Sequence, residues 1–125
     1  NLLKISDCLI TDYSGVYIDY LLLNKPIFFY CHDIENYKAK HRELYFDYFN
    51  EKFTPGKKIK NKNELINTII DFLKSNRDIY KKKRLISKFF FNKYYDNNNS
   101  RRIYKFIIAK QIYLKFKKKI INGPK

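Results

Sequence analysis

Apolar and polar positions alternate along the chain in blocks that predict an α/β front and a helical back. Asn1-Leu2-Leu3-Lys4-Ile5 is a short amphipathic stretch with no capping residue before it, and it reads as the tail of a helix cut from a longer protein. Cys8-Leu9-Ile10-Thr11 is a brief apolar run ending at polar residues, which predicts a buried parallel strand. Asp12-Tyr13-Ser14-Gly15 follows as a turn. Val16 to Leu23 then carries Val16, Tyr20 and Leu23 at i, i+4 and i+7, the spacing of a largely buried helix. Asn24-Lys25-Pro26 stops it, because proline cannot continue a helix and biases Lys25 away from the α region. Ile27-Phe28-Phe29-Tyr30 predicts a second buried strand. Strand, helix and strand in so short a span form a compact βαβ unit, whose strands must run parallel.

Beyond Tyr30 the pattern loosens. A short helix is expected near 34–40, then a loop rich in Tyr, Phe and acidic residues, then a turn at Thr54-Pro55-Gly56. The remainder reads as helical. Asn61 and Glu64 have capping-box spacing. Leu65, Ile66, Ile69, Ile70 and Leu73 predict the apolar face of the helix that follows. A second helix is expected near 77–91, with Ile79, Ile86, Phe89 and Phe90 on one side and Lys81-Lys82-Lys83-Arg84 largely opposite. Asp96 to Ser100 reads as a loop and cap, and a last helix is expected over about 101–121, ended by Asn122-Gly123-Pro124. Two domain segments follow: residues 1–55, a partial Rossmann-like unit, and residues 56–125, a basic helical segment of the same domain. Two strands alone make no stable open sheet, so further strands are expected upstream.

Charge sharpens this division. The net charge of +15 is concentrated at the back. Residues 1–76 carry 11 Lys/Arg against 10 Asp/Glu, whereas residues 77–125 carry 16 against Asp78 and Asp96 alone. A basic block of this kind suits a polyanion, an anionic membrane surface or nucleic acid, although a solvated helix surface has the same composition. No apolar run approaches the roughly 20 residues of a membrane span, and the start lacks the basic-then-apolar order of a signal peptide. Cys8 and Cys31 show no metal-ligand spacing. Both lie in apolar runs and read as buried reduced thiols, with a bridge between adjacent strands as the alternative. His32 and His41 have neither a ligand partner nor a nucleophile at useful spacing, so no metal, cofactor or catalytic residue is expected in this segment.

The candidate chemistry lies in the first turn. In open α/β sheets, ligands bind beyond the carboxyl ends of the strands, and Asp12-Tyr13-Ser14-Gly15 falls there. It also opens a helix, whose first N–H groups are unpaired and attract anions. Ser14 would either cap that helix or donate its hydroxyl to a phosphate oxygen. Gly15 would let a ligand approach the backbone closely. Asp12 would either orient a sugar or glycerol hydroxyl or hold the turn through backbone N–H groups.

A set of ordered segments carries a resemblance. They are Ile5-Ser6-Asp7-Cys8-Leu9-Ile10-Thr11-Asp12-Tyr13-Ser14-Gly15, then Leu23-Asn24-Lys25-Pro26-Ile27-Phe28-Phe29-Tyr30, then Asp33, Tyr37 and Arg42-Glu43-Leu44-Tyr45-Phe46-Asp47-Tyr48. The chain resembles the CDP-glycerol glycerophosphotransferase family, the teichoic acid and capsule polymerases, whose pattern is AD-x-LITDYSS, then a KP-x-x-F-Y strand, then RG-x-YFD. A weaker similarity continues through Asn61–Leu73 to Asn92–Arg102.

The resemblance implies the C-terminal part of a GT-B donor-binding domain. Its two parallel strands would be followed mostly by helices, in an enzyme moving glycerol-phosphate or ribitol-phosphate from a CDP-activated donor to an anionic polyol-phosphate polymer. Ser14 and the backbone at Gly15 would contact the donor pyrophosphate, Thr11 and Asp12 would shape the loop, and Arg42 would supply positive charge. The family's catalytic histidines would lie upstream, and His32 and His41 do not match them, so the segment alone would be inactive. Such an enzyme would be cytoplasmic, seated on the inner face of the bacterial cell membrane through residues 77–125.

Three departures stand out: Gly15 replaces the family's second Ser, Glu43 replaces Gly, and Asn97 stands where Gly is usual. Two other readings compete. A nonenzymatic nucleic-acid-binding module would use the basic block, but no RNP, zinc-finger or helix-turn-helix signature accompanies it. The donor half of another GT-B glycosyltransferase is disfavoured by the Tyr-Phe-Asp segment.

Overall fold

The computed structural model describes residues 2–40 and 46–121. The chain order is α1 (Leu2–Ile5), β1 (Leu9–Thr11), α2 (Val16–Tyr20), a 3-10 turn (Leu21–Leu23), β2 (Ile27–Tyr30), α3 (Ile34–Lys40), β3 (Lys57–Ile59), α4 (Lys62–Ser75), α5 (Lys81–Phe91) and α6 (Asn99–Ile121). The elements form two compact units, residues 1–93 and residues 94–125.

In the first unit, β1 pairs with β2 in parallel, Leu9 opposite Ile27 and Thr11 opposite Phe29. The expected βαβ unit is thus present, and the fold is the expected α/β class with a parallel sheet. Asn24 closes the helical turn with φ 51°, a left-handed position that Asn tolerates better than most residues. Tyr17, Tyr20 and Leu21 then pack on Ile27, Phe29 and Cys31. The face of β1 that carries Ile10 is less covered than expected: Ile10 is 47% exposed, and among the described residues β1 has a strand neighbour on one side only.

Among the described residues the sheet has three strands in the order β1-β2-β3, one more than the sequence pattern suggests. Lys57-Lys58-Ile59 has no apolar run, yet Phe29 pairs with Lys58 and Tyr30 with Ile59. The strand is stabilised by the way its lysines are used. Lys58 lies over the Phe29 ring, 4.6 Å from the centroid, and its amine donates to the Thr54 and Gly56 carbonyls. Lys57 donates to Thr68 of α4 at 2.8 Å. Apolar stems carry the burial while the charged heads find acceptors, and lysine suits an edge strand.

The helical faces depart further. In α4, Thr68 is buried while Ile66, Ile70 and Leu73 are exposed. The inward row is Leu65, Thr68, Ile69 and Phe72, with Phe72 edge-on to Phe28 at 5.6 Å. The expected cap is present: Asn61 Oδ1 accepts from the Glu64 N–H at 2.9 Å, although Glu64 reaches back to the N–H of Lys60 rather than to that of Asn61.

Helix α5 begins at Lys81 rather than 77, and it packs on the side opposite to the one expected. Arg84 and Ser87 have no exposed surface, whereas Ile79, Ile86, Phe89 and Phe90 face out. Hydrogen bonds to distant backbone carbonyls decide this. Arg84 forks onto the Asp78 carboxylate and donates to the Asn24 carbonyl at 3.0 Å. Ser87 donates to the Lys52 carbonyl at 2.6 Å, and Asn92 to that of Ile18 at 2.9 Å. A buried guanidinium needs such partners, and once they are in place the helix cannot also turn Phe89 and Phe90 inward, while Phe91 at its end packs on Tyr17 and Phe46.

The second unit is led by a loop that Arg102 of α6 (Asn99–Ile121) holds, forking onto Asp96 and lying 4.3 Å over the Tyr94 ring. Its helix, α6, starts at Asn99, two residues earlier than expected. Among the described residues, no helix is long and apolar enough to cross a membrane. Both cysteines are free, Cys31 buried and Cys8 half-buried.

Candidate functional site

The Asp12–Gly15 loop leaves the carboxyl end of β1 and enters α2, as the strand–turn–helix pattern requires. Asp12, Ser14 and Gly15 are exposed together, while Thr11, the last strand residue, is 9% exposed and shapes the loop from below. Asp12 holds the turn: its Oδ1 accepts from the Ser14 N–H at 2.9 Å. Gly15, not Ser14, occupies the N-cap position, with φ −71° and no side-chain cap. The Ser14 hydroxyl is 3.5 Å from the Val16 nitrogen, the far limit of a hydrogen bond. In that contact the hydroxyl oxygen would accept, so its proton is available for an incoming acceptor. A helix of five residues aligns few peptide dipoles, so any pull on an anion comes mainly from the unpaired N–H groups of its first turn.

The loop is fixed from the protein side. Tyr48, 2% exposed, donates its hydroxyl to the Asp12 carbonyl across 36 residues of sequence. Tyr13 stacks on Tyr37, with centroids 4.1 Å apart, meets Tyr48 edge-on at 5.4 Å, and donates to Asp33 Oδ1 at 2.9 Å. Burial, and then the bond to Asp33, push the Tyr13 phenol well above its ordinary pKa, and burial does the same to Tyr48. Both hydroxyls therefore stay protonated and keep donating. Burial also pushes the Cys31 thiol up to about 11, which makes it a poor nucleophile. The exposed His32 stacks on Tyr30 and lies 3.7 Å from the same Asp33 carboxylate. Arg42 and His41 lie outside the described residues. A cavity of about 380 Å³, lined by Phe28, Lys57, Phe72 and Tyr80 among others, shares no residue with this loop.

Tyr48 is the residue that sequence reasoning passed over. It falls at the end of a motif, in a stretch without periodicity, and only the fold brings it under Asp12. In a loop that also holds Tyr45, Phe46, Phe49 and Phe53, its aromatic type did not single it out.

The sequence profile described as CDP-Glycerol:Poly(glycerophosphate) glycerophosphotransferase matches residues 1–109. The chain belongs to this family. It is 46% identical over 68 residues to a teichoic acid poly(ribitol-phosphate) polymerase of Bacillus spizizenii, a match covering 54% of this chain and 10% of the relative. It is 37% identical over 107 residues to a teichoic acid glycerol-phosphate primase of Bacillus subtilis, covering 86% of this chain and 26% of the relative. Among solved structures it is similar to the wall teichoic acid polymerase TagF soaked with CDPG, with a TM-score of 0.56 and 29% identity, over 92% of this chain and 27% of that one. The chain thus spans between about a tenth and about a quarter of these relatives.

Two of the glycerophosphotransferase departures now have a physical reading. Asn97 has φ 60°, a backbone shape that favours glycine, and Asn is among the residues that replace it at least cost. Gly15 has an ordinary negative φ and nothing within 4 Å of where a Cβ would stand, so the position accepts serine without strain. Glu43 lies outside the described residues.

Proposed function

We propose that this chain is the donor-binding portion of a transferase that moves glycerol-phosphate or ribitol-phosphate from a CDP-activated donor to a teichoic-acid-like polymer. The observation that carries the reading is the exposed, side-chain-braced loop Asp12–Gly15 at the strand end where α/β sheets receive ligands, in a chain of this family. Ser14 would donate its hydroxyl to a donor phosphate oxygen, and the backbone at Gly15 would lie against the diphosphate. Thr11 and Asp12 would hold the loop in shape. Asp12 has no cationic partner among the described residues, and Arg42, by the family resemblance, would supply positive charge to the site.

In this scheme a hydroxyl of the acceptor polymer attacks the β-phosphorus of the donor. A new P–O bond forms as the hydroxyl's proton passes to a base expected upstream by the family resemblance, the bond to the bridging oxygen breaks, and CMP leaves with that oxygen. The contribution of this chain is to orient the diphosphate and to stabilise its developing charge with hydrogen-bond donors and Arg42. The test is calorimetric titration of the enzyme that carries this chain with CDP-glycerol, CDP-ribitol and UDP-glucose. Binding of a CDP-polyol and not of UDP-glucose supports the reading. The reverse order would favour another nucleotide-sugar transferase.

A peripheral seat on an anionic inner leaflet is the second part of the proposal. Helix α6 carries eight Lys/Arg and no acidic residue, with exposed Ile103, Phe106, Tyr113 and Phe116 among them. Each basic residue near such a surface contributes on the order of 1 kcal/mol. Pelleting with liposomes should depend on anionic lipid and weaken with salt. Pelleting insensitive to both would remove this part.

A further inference from the structure

The brace under the loop is built in depth, and it rests on residues that no motif assigns to the donor. Tyr48 is held at both ends. Its ring meets Phe29 edge-on at 5.7 Å, and its carbonyl accepts from the Thr54 hydroxyl at 2.6 Å. Thr54 has no exposed surface, and its own carbonyl accepts from the Lys58 amine. Around them, Asp47 Oδ1 accepts from the Phe49 N–H at 3.0 Å, and the Thr54 N–H donates to the Asn50 carbonyl at 3.1 Å. A turn fixed this closely leaves the Tyr48 hydroxyl one position to occupy, and that position is at the Asp12 carbonyl. The orientation of the Asp12–Tyr13 peptide in turn sets where Asp12 meets the Ser14 N–H.

We propose that Tyr48 is a positioning residue for donor binding: its buried hydroxyl fixes the Asp12 carbonyl, and through it the Ser14 and Gly15 groups that face the donor phosphates. Thr54 acts one step behind it by fixing the Tyr48 backbone. The inference rests on the donor reading given above. Tyr48 touches no substrate. It removes the freedom that the loop would otherwise lose on binding, a cost that weakens affinity without altering the bond-making step.

The test is Tyr48→Phe, which keeps the ring and deletes only the hydroxyl, in the full-length enzyme carrying this chain. Hydrogen-exchange mass spectrometry without ligand should show the peptide covering residues 9–20 exchanging about tenfold faster, with the segments of α4 and α5 unchanged. The KM for CDP-glycerol should rise about tenfold while kcat and Tm change little. Thr54→Val should reproduce the KM effect, and Thr54→Ser, which retains the hydroxyl, should restore it. A purely structural role would instead lower Tm and speed exchange throughout. Unchanged exchange in Tyr48→Phe overturns the inference, as does a loosened loop with an unchanged KM. A wild-type enzyme that does not bind CDP-glycerol overturns the donor reading, and Tyr48's part in donor binding with it. The exchange measurement still decides separately whether Tyr48 holds the loop.

Discussion

Arg84 is fully buried and holds the Asp78 carboxylate with both terminal nitrogens, while its third bond goes to the Asn24 carbonyl sixty residues earlier. This fork joins the start of α5 to the turn that closes the helical part of the βαβ unit. Burial pushes the Asp78 carboxyl up, but the bonds and charge of Arg84 more than offset this and leave it below its usual range. Removing one partner strands the other. Asp78→Ala leaves a buried guanidinium without its counter-ion and should cost roughly 3–5 kcal/mol in urea unfolding. Arg84→Met should cost less, because Asp78 keeps some contact with water.

Gly56 is required by close approach. A Cβ there would stand 2.2 Å from the Ile27 carbonyl oxygen and 2.9 Å from the Phe29 ring. Gly56→Ala should therefore destabilise by about 3 kcal/mol or more, read as a fall in the urea midpoint with unchanged slope.

Gly15 is the contrasting case. Gly15→Ser meets open space at an N-cap position, so stability should hold or rise by a few tenths of a kcal/mol. The added hydroxyl restores the family's second Ser and should lower the Kd for CDP-glycerol several-fold. Weaker donor binding in this variant would count against Gly15 lying at the diphosphate.

Burial pushes the Lys58 amine down to about 8, although its neighbours partly counter this. Between pH 8 and about 10.5 the unfolded chain therefore binds more protons at this residue than the folded chain. Stability from this group accordingly rises with pH across that window and is smallest below pH 8. Measured as the difference between wild type and Lys58→Met, the wild type should gain ~1–2 kcal/mol from pH 8 to 10.5, a figure discounted for the partial exposure of the amine. A flat difference would mean that the amine titrates normally.

The βαβ unit was legible because its signals are local: an apolar run, a helical spacing and a proline stop, each readable without knowing what lies across the fold. The Asp12 turn was legible for the same reason, since the bond from the Ser14 N–H to Asp12 spans two residues. Strand β3 was not, because Lys57 and Lys58 bury their stems, and a pattern that counts lysine as polar cannot see that. The face of α5 was read on the wrong side for a related reason. Amphipathic spacing assumes that apolar residues turn inward, whereas Arg84, Ser87 and Asn92 are held by carbonyls of Asn24, Lys52 and Ile18. Tyr48 belongs with these cases, since its partner Asp12 is fixed by tertiary structure alone.

In the proposed donor site the Asp12–Gly15 loop and Arg42 would receive the donor diphosphate. The most direct measurement is the Kd of CDP-glycerol for the full-length enzyme, compared with Ser14→Ala, Arg42→Ala and the double variant. Each group would make a charge-assisted hydrogen bond, so each single change should weaken binding about 10- to 100-fold, and the double variant more, with Tm unaltered. Donor affinity and turnover left intact in the double variant would contradict the account.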